Sequence, residues 1–119
     1  MELTVVTPTF NEADNVERFL RTVSAVLRGI GHEIVIVDDD SPDQTWRVAE
    51  ELGKTYPMLR VLRRQARPSL AGSVMDGFAI ASGEAVACLD ADLQHDPSIL
   101  PKMLAELRAG AELASSPCD

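Results

Sequence analysis

Apolar residues follow two patterns along the chain, and the two patterns alternate. Four short apolar runs bounded by turn-forming residues predict buried strands, at residues 3–7, 34–37, 59–62 and 86–89. Each run is followed by a stretch in which apolar residues recur three or four positions apart, as on one face of a helix. Strands that alternate with helices of this length predict a parallel sheet covered by helices on both faces.

Turn and cap residues give the expected limits of these elements. Pro8 should close the first strand, because proline cannot donate a hydrogen bond to a neighbouring strand. Asn11 is the expected N-cap of the first helix, and Ser41 with Gln44 predicts a capping box at the start of the second. Asp96, which precedes a proline, marks the start of the fourth helix.

The predicted third helix contains two glycines, Gly72 and Gly77. Each costs about 1 kcal/mol relative to alanine in a helix interior. Close packing of this helix against the sheet would explain their presence.

The expected topology brings three polar segments together. Right-handed crossovers predict a doubly wound sheet with strand order 3-2-1-4, and residues 111–115 are a candidate fifth strand. In such sheets ligands bind beyond the C-terminal ends of the strands, where the winding reverses. Residues 8–12, 38–41 and 90–92 follow the first, second and fourth strands, so we expect these clusters to meet there.

Two carboxylates follow the fourth strand with one residue between them. If the backbone stays extended, Asp90 and Asp92 point the same way, with Gln94 next in the row. Oxygen ligands with two negative charges suit Mg²⁺ or Mn²⁺, which complete their coordination with water and the phosphates of a substrate. Asp-x-Asp is also a common turn former or helix cap, and the spacing alone leaves both interpretations open.

Composition narrows the function. The 119 residues suffice for one domain, and 19 acidic against 11 basic residues give a net charge of −8, which argues against general nucleic-acid binding. The two cysteines lack metal or redox spacing, and no apolar run approaches the roughly 20 residues that span a bilayer. We therefore expect a reduced, cytoplasmic protein, at most peripheral to the membrane. The arginine-rich loop at 63–68 is expected to be solvated, although its charge could meet an anionic head group.

A glycine cradle for phosphates is not indicated, because neither Gly-x-Gly-x-x-Gly nor the full Gly-x-x-x-x-Gly-Lys-Ser/Thr occurs. Gly53-Lys54-Thr55 lacks the first glycine of that motif, since Val48 stands at its position. We therefore expect side chains to hold a base and ribose while a metal holds the diphosphate. Glu12 and Asp39 can accept hydrogen bonds from a base N–H or ribose hydroxyls. The alternative for residues 38–40 is that one caps the next helix and the others are solvated.

The polar segments resemble, in order and spacing, the motifs of family 2 glycosyltransferases, most closely the dolichol- or polyprenol-phosphate mannose synthases. These segments are Pro8-Thr9-Phe10-Asn11-Glu12, Val37-Asp38-Asp39-Asp40-Ser41-Pro42-Asp43, Asp76-Gly77-Phe78 and Asp90-Ala91-Asp92-Leu93-Gln94-His95. The resemblance implies a GT-A fold, a Rossmann-like nucleotide-sugar domain. It also implies metal-dependent, inverting transfer of a sugar, most often mannose from GDP-mannose, to a polyprenyl or dolichyl phosphate.

The resemblance assigns roles to individual positions. It implies that Asp90 and Asp92 are catalytic metal ligands and that Gln94 is a further metal ligand. The positions implied to line the nucleotide pocket are Pro8, Phe10, Glu12, Val37, Asp39 and Ala91. Because a phosphate acceptor is already an anion, stabilisation of the departing diphosphate by the metal should matter more than a general base.

Two departures from the family pattern keep alternatives open. Phe10 stands where the family has Tyr, which keeps a ring and loses a hydroxyl, and residues 116–118 read Ser-Pro-Cys in place of Gly-Ser-Arg. We expect residues 1–119 to be the donor-binding part of such an enzyme, without the half that binds the lipid-phosphate acceptor. The alternatives are a domain without catalytic activity, another donor such as UDP-glucose, and a nucleotidyltransferase. A homodimer is a further option, since a second copy can cover a severed sheet edge.

Overall fold

The computed structural model describes residues 2–93 and 96–108 of the chain. Its strands are β1 (Leu3–Thr9), β2 (His32–Asp38), β3 (Leu59–Arg63) and β4 (Ala85–Cys88). Its helices are α1 (Val16–Val26), α2 (Thr45–Leu52), α3 (Leu70–Ile80) and α4 (Ile99–Arg108). The strands pair in parallel in the order β3-β2-β1-β4, which confirms the expected doubly wound α/β sheet. The candidate fifth strand lies outside the described residues.

The two faces of the sheet carry different helices. On one face, Val5 and Ile36 belong to the main core, to which α1, α2 and α4 contribute and in which Phe19 is fully buried. On the other face, Val6 and Val37 belong to a smaller cluster beneath α3. Because β1 and β2 are covered on both faces, nearly all of their residues are buried, including the threonines of β1.

The glycines of α3 are explained by two different contacts. A Cβ atom on Gly77 would lie 2.4 Å from Cγ1 of Val6, so α3 reaches the sheet only because this position has no side chain. This confirms the expected close packing. A Cβ atom on Gly72 would instead lie 2.4 Å from Nη2 of Arg64, so that glycine makes room for a side chain of the loop after β3.

The prediction that Pro8 closes β1 is wrong, because the strand continues to Thr9. The carbonyl of Val6 accepts from the N–H of Leu89, where the pairing of β1 with β4 ends. In a parallel strand, the backbone N–H and C=O groups of alternate residues point to the same neighbouring strand. Pro8 comes two residues after Val6, so its nitrogen points to the side of β4, but β4 has already ended there. The missing N–H of Pro8 therefore interrupts no ladder bond.

The predicted starts of α1 and α2 are also wrong. The N-caps are Asn15 and Gln44, in place of Asn11 and Ser41. The hydroxyl of Ser41 is engaged elsewhere, since it donates to Asp38 and accepts from the N–H of Asn11. The residues expected to cap the helices therefore join the loops that precede them.

The opposite, N-terminal edge of the sheet is held by one buried carboxylate. Glu33 in β2 accepts from the hydroxyl of Thr4, from the N–H and hydroxyl of Ser82, and from Arg60, at 2.6 to 3.1 Å. Burial raises the pKa of Glu33, but these hydrogen bonds outweigh burial and lower its pKa to about 2. At neutral pH the Glu33 carboxylate therefore joins β1, β3 and the segment between α3 and β4.

Two further observations concern Cys88 and the lengths of the helices. Cys88 in β4 is buried, and the expectation of a reduced setting stays a prediction. The one other cysteine, Cys118, lies outside the described residues. Within the described part of the chain, no helix is both long enough and apolar enough to cross a membrane.

Candidate functional site

The C-terminal edge of the sheet is formed by the loops at residues 10–15, 39–44 and 64–69 and by residues 89–93. Because β1 lies between β2 and β4, the three polar clusters that follow these strands reach one edge, as expected. Four non-glycine residues of these loops have a left-handed backbone, with φ between 53° and 61°: Asn11, Asp40, Gln44 and Leu93. Such conformations cost free energy and are concentrated at functional sites.

Asp38 fixes the base of two of these loops. Its carboxylate accepts from the hydroxyl of Thr9 at 2.6 Å, and from the N–H and hydroxyl of Ser41 at 2.9 and 2.6 Å. The Ser41 hydroxyl in turn accepts from the N–H of Asn11 at 2.9 Å. Since Asp38 is fully buried, its role is to hold the loops and not to contact a ligand.

Further hydrogen bonds tie the loop after β1 to the loop after β2. The N–H of Glu12 donates to the hydroxyl of Thr45 at 2.9 Å, and the N–H of Ala13 donates to Asp43 at 3.1 Å. Burial raises the pKa of Asp43, but the hydrogen bonds from Thr45 and Ala13 outweigh burial and lower it. The carboxylate of Glu12 accepts from Asn15 at 2.7 Å. The two loops are thus cross-linked through side chains.

An open pocket of about 300 Å³ lies at this edge. Its lining comes from the ends of β1 and β2 and from the loop before α3, and consists of Pro8, Thr9, Phe10, Asp39, Pro68, Ser69 and Leu70. Phe10 is 51% exposed, which leaves its ring available for stacking. A largely apolar wall with one carboxylate suits a planar ring that has a polar edge.

Asp39 is the charged group of this pocket, and both of its oxygens have partners. Oδ1 accepts from Nη1 of Arg64 at 3.1 Å, and Oδ2 accepts from the N–H of Ser69 at 3.0 Å. Arg64 also donates to Asp76 at 3.0 Å and to the carbonyl of Arg67 at 2.6 Å. The bond to Asp39 is the main cause that raises the pKa of Arg64. Each oxygen of Asp39 has a second lone pair, so Asp39 can still accept from a ligand.

The basic loop differs from the solvated loop that the sequence predicts. Arg63 forms an ion pair with Asp40 at 2.7 Å, and its guanidinium lies 3.9 Å from the ring centroid of Trp46. Arg64 pairs with Asp39, as described above. Arg63, the last residue of β3, and Arg64, the first residue of the loop, are therefore both bound to carboxylates that follow β2.

Asp90 and Asp92 lie in a turn. The N–H of Leu93 donates to the carbonyl of Asp90 at 3.3 Å, and Leu93 has a φ of 57°. The condition of an extended backbone is not met over residues 90–93, because the last bond from β1 to this segment is the one made by Leu89. Both aspartates are half-buried at the C-terminal edge, and Gln94 lies outside the described residues.

The chemistry of this pair fits a divalent cation. Within residues 2–93 and 96–108, no group of three or more His, Cys, Asp and Glu side chains is placed to hold a metal. Mg²⁺, however, is usually held by one or two carboxylates, with water and substrate phosphates as its other ligands. Asp90 and Asp92 could supply these two carboxylates. Arg18 of α1 donates to the carbonyl of Asp92 at 3.3 Å, which ties the turn to the main body of the domain.

The other residues implied by the resemblance are placed differently from one another. Pro8, Phe10 and Asp39 line the pocket together. Glu12 is half-buried in the neighbouring loop. The side chain of Val37 is fully buried beneath α3, and Ala91 is 2% exposed in the main core, so both pack inside the domain beneath the site. Val37, Ala91 and Glu12 do not line the pocket.

One wall of the pocket, and Arg64, which holds it, are not predicted from the sequence. Pro68, Ser69 and Leu70 form the wall, and Arg64 joins it to Asp39. The signal in the sequence was Gly72, a glycine in the first turn of a helix. It becomes informative only once the path of the preceding loop is known.

A doubly wound parallel sheet with a pocket and carboxylates at its C-terminal edge places the chain in the class of open-sheet α/β domains, whose ligands bind at that edge. The family model described as glycosyl transferase family 2 matches residues 4–118. The chain therefore belongs to this family.

Individual relatives agree with this assignment. A dolichol-phosphate mannosyltransferase from Pyrococcus furiosus is 42% identical over 114 residues, which cover 96% of this chain and 32% of the relative. An undecaprenyl-phosphate 4-deoxy-4-formamido-L-arabinose transferase from Pseudomonas fluorescens is 32% identical over 118 residues, which cover 96% and 34%. The chain thus spans about a third of the length of these relatives.

A solved structure confirms the fold. The mannosyltransferase from Pyrobaculum calidifontis, in complex with GDP-Man and Mn²⁺, superposes with a TM-score of 0.69 at 29% identity. The match covers 76% of this chain and 27% of that structure. The chain has the GT-A fold.

Proposed function

We propose that this chain is the donor-binding part of a metal-dependent, inverting glycosyltransferase that moves a sugar from a nucleoside diphosphate to a polyprenyl or dolichyl phosphate. The observation that carries the proposal is that Phe10 and Asp39 lie in one pocket at the same edge of the sheet as Asp90 and Asp92. A ring and a carboxylate suit a base, and the aspartate pair suits a cation on the diphosphate.

GDP-mannose is the proposed donor. Asp39 offers only acceptors when ionised, which favours a base whose edge presents N–H donors, and guanine presents two neighbouring ones. The relative from Pyrococcus furiosus is named a mannosyltransferase, and the structure from Pyrobaculum calidifontis contains GDP-Man. A uridine donor is the second candidate, because uracil also presents one N–H and the relative from Pseudomonas fluorescens is named for a different sugar.

Asp90 and Asp92 would hold Mg²⁺ or Mn²⁺, and such an ion, when bound, stabilises the departing diphosphate. The net charge of −8 makes a cation useful, since the carboxylates of this edge would repel a diphosphate. A phosphate acceptor is an anion at neutral pH, so the residues of this chain need not supply a general base. The acceptor is proposed to bind outside these 119 residues, at the cytoplasmic face of a membrane.

Isothermal titration calorimetry tests this proposal. GDP-mannose should bind in the presence of Mn²⁺, and Asp92→Asn should weaken that binding by about tenfold or more, because one cation ligand loses its charge. Asp40→Asn is the matched control, since Asp40 lies at the same edge but pairs with Arg63. Circular dichroism shows whether each variant is folded.

Two results would count against the proposal. Absence of heat with GDP-mannose and with UDP-glucose, from folded protein in Mn²⁺, would reject nucleotide-sugar binding. Unchanged binding by Asp92→Asn would place the cation on other residues.

A further inference from the structure

Arg64 connects three separate segments of the chain, of which Asp39 lines the pocket. It donates to Asp39 after β2, to Asp76 in α3, and to the carbonyl of Arg67 in its own loop. The first two partners are carboxylates, at 3.1 and 3.0 Å. Hydrogen bonds to charged groups are stronger than neutral ones, so this guanidinium determines where the Asp39 carboxylate lies relative to α3.

The guanidinium of Arg64 occupies a space that is open because Gly72 has no side chain. A Cβ atom on Gly72 would lie 2.4 Å from Nη2 and 2.8 Å from Cζ of Arg64. The N-cap of the same helix, Ser69, accepts from the N–H of Gly72 through its hydroxyl and donates to Asp39 through its own N–H. The start of α3 is thus built around the contact between Arg64 and Asp39.

The position of Arg64 indicates an indirect role. Its side chain is 16% exposed and that of Asp39 is 9% exposed. Nε and Nη1 of Arg64 are directed at protein acceptors, and Nη2 lies over Gly72. Asp39 lines the pocket, whereas Arg64 lies behind it. Arg64 therefore acts on a ligand through Asp39.

We infer that Arg64 is a positioning residue that makes the pocket selective for bases with an N–H edge, by holding the Asp39 carboxylate in one orientation. The inference rests on the proposed function. When the Asp39 carboxylate is held in one orientation, its two oxygens can accept from the two neighbouring N–H groups of guanine. Adenine has an acceptor at N1, which a carboxylate oxygen repels. Without Arg64, the carboxylate can rotate and the difference between the two bases decreases.

The test measures the dissociation constants of GDP and ADP in Mn²⁺ for the 119-residue chain and for Arg64→Met. We expect the preference for GDP over ADP to fall by about tenfold, the effect of one charged hydrogen bond. Gly72→Ala should lower the preference in the same direction, because it displaces Arg64 without removing its charge. Arg63→Met is the matched control: it removes the neighbouring arginine, the last residue of β3, whose partners, Asp40 and Trp46, lie outside the pocket lining.

The outcomes separate the inference from the proposed function. If Arg64→Met weakens GDP and ADP equally, Arg64 has a general structural role and the inference is wrong, although nucleotide binding stands. A crystal structure of Arg64→Met with Asp39 in its original orientation would overturn the inference independently. If the unaltered chain binds neither nucleotide, the proposed function fails, and base selection fails with it.

Discussion

At the scale of the residue, the aspartates at the end of β2 and in the loop after it are alike in the sequence and differ in their contacts. Asp38 is buried and joins two loops, Asp39 lines the pocket, and Asp40 pairs with Arg63 at the surface. Asp43 accepts from the loop after β1. The sequence predicts a cluster of carboxylates, but their roles depend on partners that are distant along the chain.

The buried position of Asp38 gives a prediction about stability. Asp38→Asn should destabilise the fold by about 2 kcal/mol, because the amide nitrogen cannot accept from Thr9 or Ser41 and leaves buried donors unpaired. Chemical denaturation measures this free energy of unfolding.

Asp40→Asn is the control for that measurement. Its ion pair with Arg63 is partly exposed, and such pairs contribute about 0 to 1 kcal/mol. Equal losses of stability in the two variants would show that the contacts of Asp38 do not have the role assigned to them.

At the scale of the element, the sequence predicts the order and type of the helices and strands, because each has a clear apolar period. Their limits are less predictable. Ser41 has the residue type of a cap, but its hydroxyl bonds to Asp38 and Asn11. Pro8 has the residue type of a strand end, but β1 passes it, since β4 stops opposite Val6. In each case a tertiary contact overrides a local preference.

The contact of α3 with the sheet predicts the effect of Gly77→Ala. The added methyl would overlap Cγ1 of Val6, at 2.4 Å, and crowd Cγ2 of Val37, at 3.1 Å. Overpacking should cost about 1 to 3 kcal/mol, and the higher helix propensity of alanine offsets up to about 1 kcal/mol. Thermal unfolding should show a net loss of stability.

Gly31→Ala is the control for Gly77→Ala, since a Cβ at residue 31 would lie 3.8 Å from its nearest neighbour, Oε2 of Glu2, which is ordinary contact. Its stability should stay within about 0.5 kcal/mol of the parent chain. A Gly77→Ala variant as stable as the parent would mean that α3 can move away from the sheet at little cost.

The lowered pKa of Glu33, which joins two strands, predicts that the stability of the fold depends on pH. Its pKa falls from 4.5 to about 2 on folding, so its contribution is complete above pH 4.5 and is lost as the pH falls through 2. The shift corresponds to a contribution on the order of 3 kcal/mol. Glu33→Gln should therefore be less stable than the parent at pH 7, and the difference should narrow as the pH falls toward 2.

Unfolding curves of both proteins between pH 7 and pH 2 measure this difference. Glu51→Gln is the control, because Glu51 is exposed and pairs with Lys54 on the surface. A difference between Glu33→Gln and the parent that does not change with pH would reject the linkage.

At the scale of the whole molecule, the topology predicts where the site lies, and the sequence predicts most of its acidic residues. Parallel strands in the order β3-β2-β1-β4 bring the segments after β1, β2 and β4 to one edge. The conformation of residues 90–93 and the wall built by Arg64 and Ser69 could not be read in advance. They depend on where β4 ends and on how the loop before α3 returns to Asp39.

The central claim is that one edge of an acidic domain binds the base in a pocket and the diphosphate through a cation. The most direct measurement is a crystal structure of the chain with GDP and Mn²⁺, with the cation located by its anomalous signal. We predict a Mn²⁺ peak between the carboxylates of Asp90 and Asp92 and the diphosphate, with guanine against Phe10 and Asp39. A nucleotide bound at another face of the sheet, or a Mn²⁺ peak distant from both aspartates, would contradict it.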